Sequence, residues 1–276
     1  MKYIINYYLP TKFFYTLSKS RVRLYILFVV EYFVGVCMKK LLIIIPAYNE
    51  EKNIIDTVNS VKTIESDYCI VDYIVINDCS KDKTEQVCTD NGFNYISLPL
   101  NLGIGGAVQT GYKYALYNGY DYAIQFDGDG QHNAKYIEPL ISELEKGVDL
   151  VIGSRFINQI SEFKSTKLRR FGKSILSFLI KVFTKKKITD PTSGFRGCNR
   201  KLIELFASKY PIDYPEPDTI VTVLKKGYKV IEIPVKMNER KNGVSSINAF
   251  KSIYYMIKVS LAIIISGIST EKEKKI

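Results

Sequence analysis

The sequence predicts an α/β protein with a doubly wound, mostly parallel sheet. From residue 41 onward, short apolar runs alternate with segments of helical character, which is typical of successive β-α-β units. The first run, residues 41–45, is continuously apolar and ends at Pro46, as expected of a strand buried on both faces. Polar residues directly follow several of these runs, at the strand ends where parallel sheets bind ligands.

The predicted elements of the first half follow one another closely. The strands are residues 41–45, 73–77, 95–98, 122–126 and 149–153. The helices run from Asn49 to about Lys62, and then over residues 81–90, 103–117 and 136–146. Asn49 is a candidate helix cap because its side chain can accept a hydrogen bond from a free backbone amide. Glu50 and Glu51 would then lie at the positive end of the helix dipole.

The second half is predicted to be more helical. It contains helices at residues 168–183, 215–226 and 249–268, a strand at 229–235, and loops at 190–194 and 238–246. The last helix is apolar but contains Lys258 near its centre, which argues against a membrane span. Two alternatives remain open for it, a helix on a membrane surface and a helix packed on the domain. The predicted divisions are a basic and apolar extension (1–37), an α/β domain (38–247) and a C-terminal apolar helix with a charged tail (248–276).

Basic residues are concentrated in two blocks of a chain whose formal net charge is +11. Residues 1–40 contain Glu31 as their only acid, and residues 164–187 contain no acid. Two basic blocks beside apolar runs favour an anionic membrane surface as partner over nucleic acid. The apolar stretch at residues 24–38 is too short to span a bilayer. We therefore expect residues 1–37 to be either an extension outside the fold or an interfacial anchor.

Cysteine and histidine usage excludes several kinds of site. The five cysteines form no CxxC pair, which excludes a disulfide scaffold and a cysteine-based zinc site. His132 is the only histidine, so a site with several histidine ligands is excluded as well. This cysteine usage fits a reducing compartment.

Polar clusters at three predicted strand ends form the candidate site. They are residues 46–49, Asp78 and residues 127–131, and we expect them to meet in one crevice. Asp127 and Asp129 follow a buried strand on a glycine-rich turn, and Gln131 offers a third oxygen at the next alternate position. Oxygen ligands of this kind suit a hard divalent cation, which would neutralise charge on a leaving diphosphate.

Taken together, these stretches resemble the inverting glycosyltransferases of family 2, which have the GT-A fold. The matching stretches are residues 43–51, 75–84, 101–103, 127–132, 153–156 and 190–196. The closest similarity is to the polyprenyl-phosphate mannose or glucose synthase-like branch. Two departures are Cys79, where the family usually has Gly, and Asn133-Ala134, where an acidic residue and Pro commonly follow the histidine.

The resemblance implies a role for each matching residue. The donor nucleotide would be bound by Pro46, Ala47, Tyr48, Glu50, Asp78, Asp127 and Arg240. The metal, Mg²⁺ or Mn²⁺, would be held by Asp127, Asp129 and Gln131. The acceptor would be contacted by Arg155, Arg170 and Ser174. For the catalytic base, Asp218 is the first candidate and Glu216 the second, with Asp129 as a further catalytic residue through the metal.

The predicted function is sugar transfer, with inversion, from a nucleotide-diphosphate sugar to the hydroxyl of a lipid-linked glycan, in polysaccharide or glycolipid synthesis. One alternative is a polyprenyl-phosphate mannose or glucose synthase, whose acceptor is already ionised and needs no base. An alternative of another class is a non-catalytic protein that binds a nucleotide or an anionic lipid surface. The predicted location is the cytoplasmic face of the plasma membrane, with peripheral or interfacial anchoring and no nucleic-acid partner.

Overall fold

A seven-stranded mixed sheet, flanked by helices, organises the part of the chain that the computed structural model describes, residues 38–157, 167–238 and 249–269. The predicted extension 1–37 lies outside these residues. The strands are β1 (Lys39–Ala47), β2 (Cys69–Asn77), β3 (Tyr95–Ser97), β4 (Tyr122–Gln125), β5 (Leu150–Ser154), β6 (Arg196–Asn199) and β7 (Val230–Pro234). The helices are α1 (Ile54–Lys62), α2 (Thr84–Asp90), α3 (Gly103–Tyr117), α4 (Ile137–Glu145), α5 (Lys167–Thr184), α6 (Arg200–Ser208), α7 (Pro215–Lys225) and α8 (Ala249–Ile268).

The strand order is β3-β2-β1-β4-β6-β5-β7. β6 runs antiparallel to both of its neighbours, whereas the other pairings are parallel. All strands except β6 therefore point in one direction, and the predicted doubly wound, mostly parallel sheet is confirmed. The carboxyl ends of β1, β2 and β4 lie side by side at one edge.

β1 forms the centre of the sheet, as its sequence predicts. Residues 41–45 are fully buried between β2 and β4. Their side chains alternate between two apolar cores, with Leu42 and Ile44 on one face and Leu41, Ile43 and Ile45 on the other. Helices cover both faces, which is why this strand is apolar at consecutive positions rather than at alternate ones.

β6 and α6 were not predicted from the sequence. β6 is short, contains Gly197, and begins with Arg196, whose side chain is fully buried. The Arg196 guanidinium donates hydrogen bonds to the Ser193 carbonyl and to Thr219 Oγ1. A sequence that begins with a charged residue does not look like a core strand. Arg196 can be buried only because the tertiary fold brings hydrogen-bond acceptors to it.

The predicted cap of the first helix is wrong. α1 begins at Ile54, and Asn49 lies outside it in a left-handed conformation with φ 58°. The Asn49 side chain accepts a hydrogen bond from the Lys81 amide at 2.7 Å, and its own amide donates to Ser80 Oγ at 3.0 Å. Asn49 therefore joins the loops that follow β1 and β2 instead of starting a helix.

The C-terminal helix α8 packs on the domain through one face. It contacts α5 and α7, and it buries Val259 and Ile263 in the core. The helices approach closely, because a Cβ on Gly267 would lie 2.4 Å from the ring of Phe183. Among the described residues, no helix combines the length and the hydropathy needed to cross a bilayer.

Candidate active site

A cavity of about 440 Å³ lies at the carboxyl ends of β1, β2 and β4. Its lining residues are Pro46, Tyr48, Glu50, Asp78, Asn101, Gly103, Ile104, Ala107, Asp127, Gly128 and Asp129. The structure thus brings together the three polar clusters that the sequence places at strand ends. Ala47 does not line the cavity, since its side chain is buried in the core and its carbonyl accepts a hydrogen bond from the Asp78 amide.

Asp78 holds the glycine-rich start of α3 against this cavity. Its Oδ1 accepts a hydrogen bond from the Leu102 amide at 2.7 Å, and Asn101 Nδ2 donates to its carbonyl at 3.0 Å. Burial raises the pKa of the Asp78 carboxyl, and hydrogen bonds from the Leu102 and Gly103 amides oppose that rise. One carboxylate oxygen of Asp78 therefore has a structural role, in addition to the contact with the donor nucleotide that the resemblance implies.

Cys79 adopts a left-handed conformation, with φ 55°. This backbone region favours glycine, because a Cβ there crowds the neighbouring carbonyl oxygen. The structure explains why the family usually has Gly at this position. In this chain the turn after Asp78 is kept at the cost of local strain.

Two neighbours orient the Asp127 carboxylate. Gln125 Nε2 donates a hydrogen bond to Asp127 Oδ1 at 3.1 Å, and the Asp127 amide donates to His132 Nδ1 at 3.0 Å. Because Nδ1 accepts a hydrogen bond, neutral His132 carries its proton on Nε2, which lies 3.5 Å from Asp127 Oδ2. Burial lowers the pKa of His132, against the opposing charges of Asp127 and Asp129, and its ring stacks on Phe195.

The loop between Asp127 and Asn133 is held in place from both sides. Gly128 packs against β1 so closely that a Cβ would lie 2.9 Å from the Pro46 carbonyl oxygen. From the other side, the Asn238 side chain donates to the carbonyls of Gly130 and His132 at 3.3 Å. The main-chain N–H of Asn238 donates to the Gln131 carbonyl at 2.8 Å. We refer to residues 127–133 as the acidic loop. Sequence reasoning missed Asn238, and no local pattern marks it.

The carboxylates of the acidic loop fit a divalent cation that is shared with a diphosphate. Asp127 and Asp129 line the same cavity, and the Asp127 side chain is 33% exposed. Within the described part of the chain, no group of three or more His, Cys, Asp or Glu side chains could enclose a metal. Mg²⁺ is typically bound by one or two protein carboxylates plus phosphate oxygens and water, so this pair suffices. Gln131 does not line the cavity, and its amide donates to Asp129 Oδ1 at 3.0 Å.

Arg155, at the end of β5, is locked into a buried ion pair. Its Nε and Nη2 donate to the two carboxylate oxygens of Asp190 at 2.7 and 2.8 Å, and Nη2 also donates to Thr192. Glu232 in turn accepts hydrogen bonds from the amides of Thr189 and Asp190. The predicted acceptor residue Arg155 therefore also fastens the 189–192 loop to the sheet.

Of the three remaining predicted residues, Ser174, Arg170 and Arg240, the structure describes the side chain of Ser174. Ser174 is an exposed residue of α5. The side chain of Arg170 and all of Arg240 lie outside the described part of the structure.

The structure places the two candidate bases in different surroundings. Asp218 Oδ1 accepts a hydrogen bond from Ser266 Oγ of α8, so this carboxylate is engaged with the C-terminal helix. Burial raises the pKa of Glu216, buried Arg196 lowers it, and the charge of Asp127 raises it further. Glu216 thus lies within electrostatic reach of the acidic loop, whereas Asp218 points to a neighbouring helix. The two residues lie in the first turn of α7, two positions apart, so their side chains leave the helix on different sides.

Comparison with known proteins gives a consistent family assignment. The model of "Glycosyl transferase family 2" matches residues 42–206. An uncharacterized protein of Methanocaldococcus jannaschii is 31% identical, over 79% of this chain and 91% of its own length. The UDP-N-acetylglucosamine–dolichyl-phosphate N-acetylglucosaminyltransferase of Methanococcus voltae is 28% identical, over 81% of this chain and 97% of its own length. The polyprenol monophosphomannose synthase of Mycolicibacterium smegmatis is 26% identical, over 80% and 86%.

A solved structure shares the fold. The glucosyl-3-phosphoglycerate synthase of Mycobacterium tuberculosis, crystallised with Mn²⁺, UDP-glucose and phosphoglyceric acid, superposes with a TM-score of 0.61. It is 17% identical, and the match covers 83% of this chain and 79% of that one. At this identity the likeness shows the GT-A fold alone. With the family model matching more than half of the sequence, this chain belongs to glycosyl transferase family 2 and is a glycosyltransferase.

Proposed function

We propose that this glycosyltransferase transfers a sugar, with inversion, from a nucleotide-diphosphate sugar to a polyprenyl-type lipid phosphate. The observation that carries the proposal is the proximity of two charged groups at one sheet edge. The acidic loop suits a diphosphate with its cation, and Arg155 lies within electrostatic reach of Asp127. Relatives that align over about four fifths of the chain are named as transferases of dolichyl phosphate and polyprenol monophosphate.

The donor would occupy the cavity at the ends of β1, β2 and β4. Pro46, Tyr48, Glu50 and Asp78 line it on the side of β1 and β2, where a base and ribose would be held. Asp127 and Asp129 would hold Mg²⁺ or Mn²⁺, which stabilises the negative charge of the departing diphosphate. Mn²⁺ and UDP-glucose in the solved relative of the same fold support this assignment. Gln125 and His132 keep Asp127 oriented toward the cavity.

The acceptor phosphate would attack the anomeric carbon from the face opposite the diphosphate. One of its oxygens forms the new C–O bond as the bond to the diphosphate breaks, and the nucleoside diphosphate leaves. A phosphate monoester is ionised at neutral pH, so no proton must be removed from the nucleophile. The protein then has to bind and align the acceptor, which is the role we assign to the region of Arg155, Arg170 and Ser174.

A second candidate acceptor is the hydroxyl of a lipid-linked glycan. The observation that favours it is Glu216, whose pKa is raised by burial and which lies near Asp127. A hydroxyl loses its proton as it attacks, and a carboxylate with a raised pKa is suited to accept that proton. In this case Glu216 would be the general base, in place of Asp218.

A membrane-borne acceptor agrees with the apolar side chains that α5 and α8 expose. Among the described side chains of these two helices, the large apolar ones that are more than half exposed are Phe178, Val182, Tyr254, Ile257, Leu261, Ile265 and Ile268. Exposed Lys185, Lys186 and Lys187 follow α5 directly. Apolar helix faces next to lysines favour peripheral binding to an anionic leaflet, and we place the enzyme at the cytoplasmic face of the plasma membrane. Binding to anionic vesicles should fall steeply with salt, and equal binding to neutral vesicles would contradict this placement.

The acceptor can be tested with the purified full chain. UDP-, GDP- and dTDP-sugars are each incubated with Mn²⁺ and one of three acceptors, namely a polyprenyl phosphate, the matching polyprenol and a lipid-linked glycan. The proposal expects a glycosylated product with the polyprenyl phosphate and none with the polyprenol. Transfer to the glycan alone would establish the hydroxyl alternative and overturn the proposal.

A further inference from the structure

Lys173 of α5 lies beside the Arg155 ion pair, and sequence reasoning did not single it out. Its Nζ lies 3.5 Å from the centroid of the Phe156 ring, and Arg155 Cζ lies 5.6 Å from the same centroid. The Lys173 side chain is half-buried, and burial lowers the pKa of its ammonium group. Two cations thus share one aromatic ring at the end of β5.

The two acids near these cations are bound by groups other than Lys173. Asp190 is fully buried and is bound by Arg155 through both carboxylate oxygens. The carboxylate of Glu232 accepts hydrogen bonds from the amides of Thr189 and Asp190 and from the Thr189 hydroxyl. Both nearby acids are therefore engaged by other groups, although they affect Lys173 electrostatically.

Lys173 itself makes no ion pair with any side chain in the described part of the chain. An ammonium group has three N–H donors, and the face of one ring satisfies none of them with an oxygen acceptor. A partly buried cation without a counter-ion is unfavourable unless a ligand supplies the negative charge. The position of Lys173, next to Ser174 and to the Arg155 region, fits an anionic ligand at the acceptor side.

We propose that Lys173, held over Phe156, recognises the phosphate group of the acceptor and sets the preference for a phosphate over a neutral hydroxyl. Arg155 then serves mainly as the framework that keeps the 189–192 loop and Phe156 in place. This inference rests on the proposed lipid-phosphate acceptor. Because the site is partly shielded from water, one cation there discriminates charged from neutral acceptors better than an exposed lysine would.

The test measures binding and turnover separately on the full chain. A water-soluble ten-carbon prenyl phosphate and the matching prenol are titrated by calorimetry into wild type, Lys173→Gln and Lys173→Arg. The matched control is Lys62→Gln, which removes an exposed lysine whose Nζ lies 4.7 Å from the centroid of another aromatic ring, that of Phe93. Binding of the nucleoside diphosphate with Mn²⁺ reports whether each variant is folded.

We expect Lys173→Gln to weaken binding of the prenyl phosphate at least tenfold and to raise its KM by a similar factor. Binding of the nucleoside diphosphate should change less than twofold, Lys173→Arg should recover most of the affinity, and Lys62→Gln should equal wild type. An unchanged prenyl phosphate affinity in Lys173→Gln, or an equal loss for the nucleoside diphosphate, would overturn the role of Lys173. If wild type binds the prenyl phosphate without glycosylating it, the proposed function fails, while the affinity ratio still decides the role of Lys173.

Discussion

Asn238 offers a sharp test of how the acidic loop is held. Its side chain makes three hydrogen bonds of 3.3 Å, donating to the carbonyls of Gly130 and His132 and accepting from Asn133 Nδ2. Asn238→Ala removes these three and leaves the main-chain bond to Gln131 intact. Long, exposed hydrogen bonds lie at the low end of the usual range, ~0.5 kcal/mol each. The side chain therefore contributes about 1.5 kcal/mol to the order of the loop.

Loss of this free energy should weaken the affinity for the metal, because a partly disordered loop must become ordered again before Asp129 can bind a cation. About 1.4 kcal/mol corresponds to a factor of ten in an equilibrium constant. We expect the Mn²⁺ concentration for half-maximal activity to rise about tenfold in Asn238→Ala, with the rate at saturating Mn²⁺ within threefold of wild type.

The assay is a Mn²⁺ titration of sugar transfer at saturating donor and acceptor. Asn118→Ala is the control, because Asn118 is an exposed asparagine at the far end of α3 whose hydrogen bonds, among the described residues, stay within its own turn. An unchanged Mn²⁺ dependence in Asn238→Ala, or a loss of rate that excess Mn²⁺ does not restore, would show that Asn238 does not order the acidic loop for metal binding.

The metal ligands, the candidate bases and the turn at Cys79 can each be tested by substitution. Asp127→Asn and Asp129→Asn should each lower transfer at least a hundredfold with an unchanged melting temperature, because the cation they hold supplies several kcal/mol; full activity in EDTA would contradict this. Glu216→Gln should keep most of the activity toward a lipid phosphate but lose roughly 10²–10⁴-fold toward a hydroxyl, and Asp218→Asn should change neither rate by more than a few-fold. Cys79→Gly should stabilise the protein by about 1 kcal/mol, raising the melting temperature by ~2–4 °C, because glycine tolerates the left-handed φ; a lower melting temperature would show that the cysteine is not strained.

Local sequence patterns were sufficient to predict α3, α8 and β1. The bounds of α3 and α8 agree with the sequence prediction, since an apolar stripe at helical spacing between polar or glycine-rich ends defines both termini. The central position of β1 followed from its continuous apolar run. The meeting of Asp78 with the acidic loop also followed, because parallel strands bring their carboxyl ends to one edge.

Long-range contacts decided the remaining features. β6 is antiparallel and begins with Arg196, whose burial depends on Ser193 and Thr219. Asn49 bonds to the loop after β2 rather than capping α1, because Lys81 and Ser80 are within reach only after the sheet has formed. In both cases the sequence neighbourhood favours a different local structure, and partners distant in the chain override it.

Motifs of neighbouring residues were sufficient to predict the family, the fold class and the acidic loop as the candidate metal site. The tertiary structure was needed to see that Asp218 bonds to α8, that Asn238 holds the acidic loop and that Lys173 lies over Phe156. Glu216 and Asp218 are two residues apart on one helix, and only the packing of α8 against α7 engages Asp218 with Ser266. Asn238 and Lys173 likewise acquire their roles from groups distant in the chain. Side-chain direction and charge pairing arise from packing, and packing is a property of the folded chain.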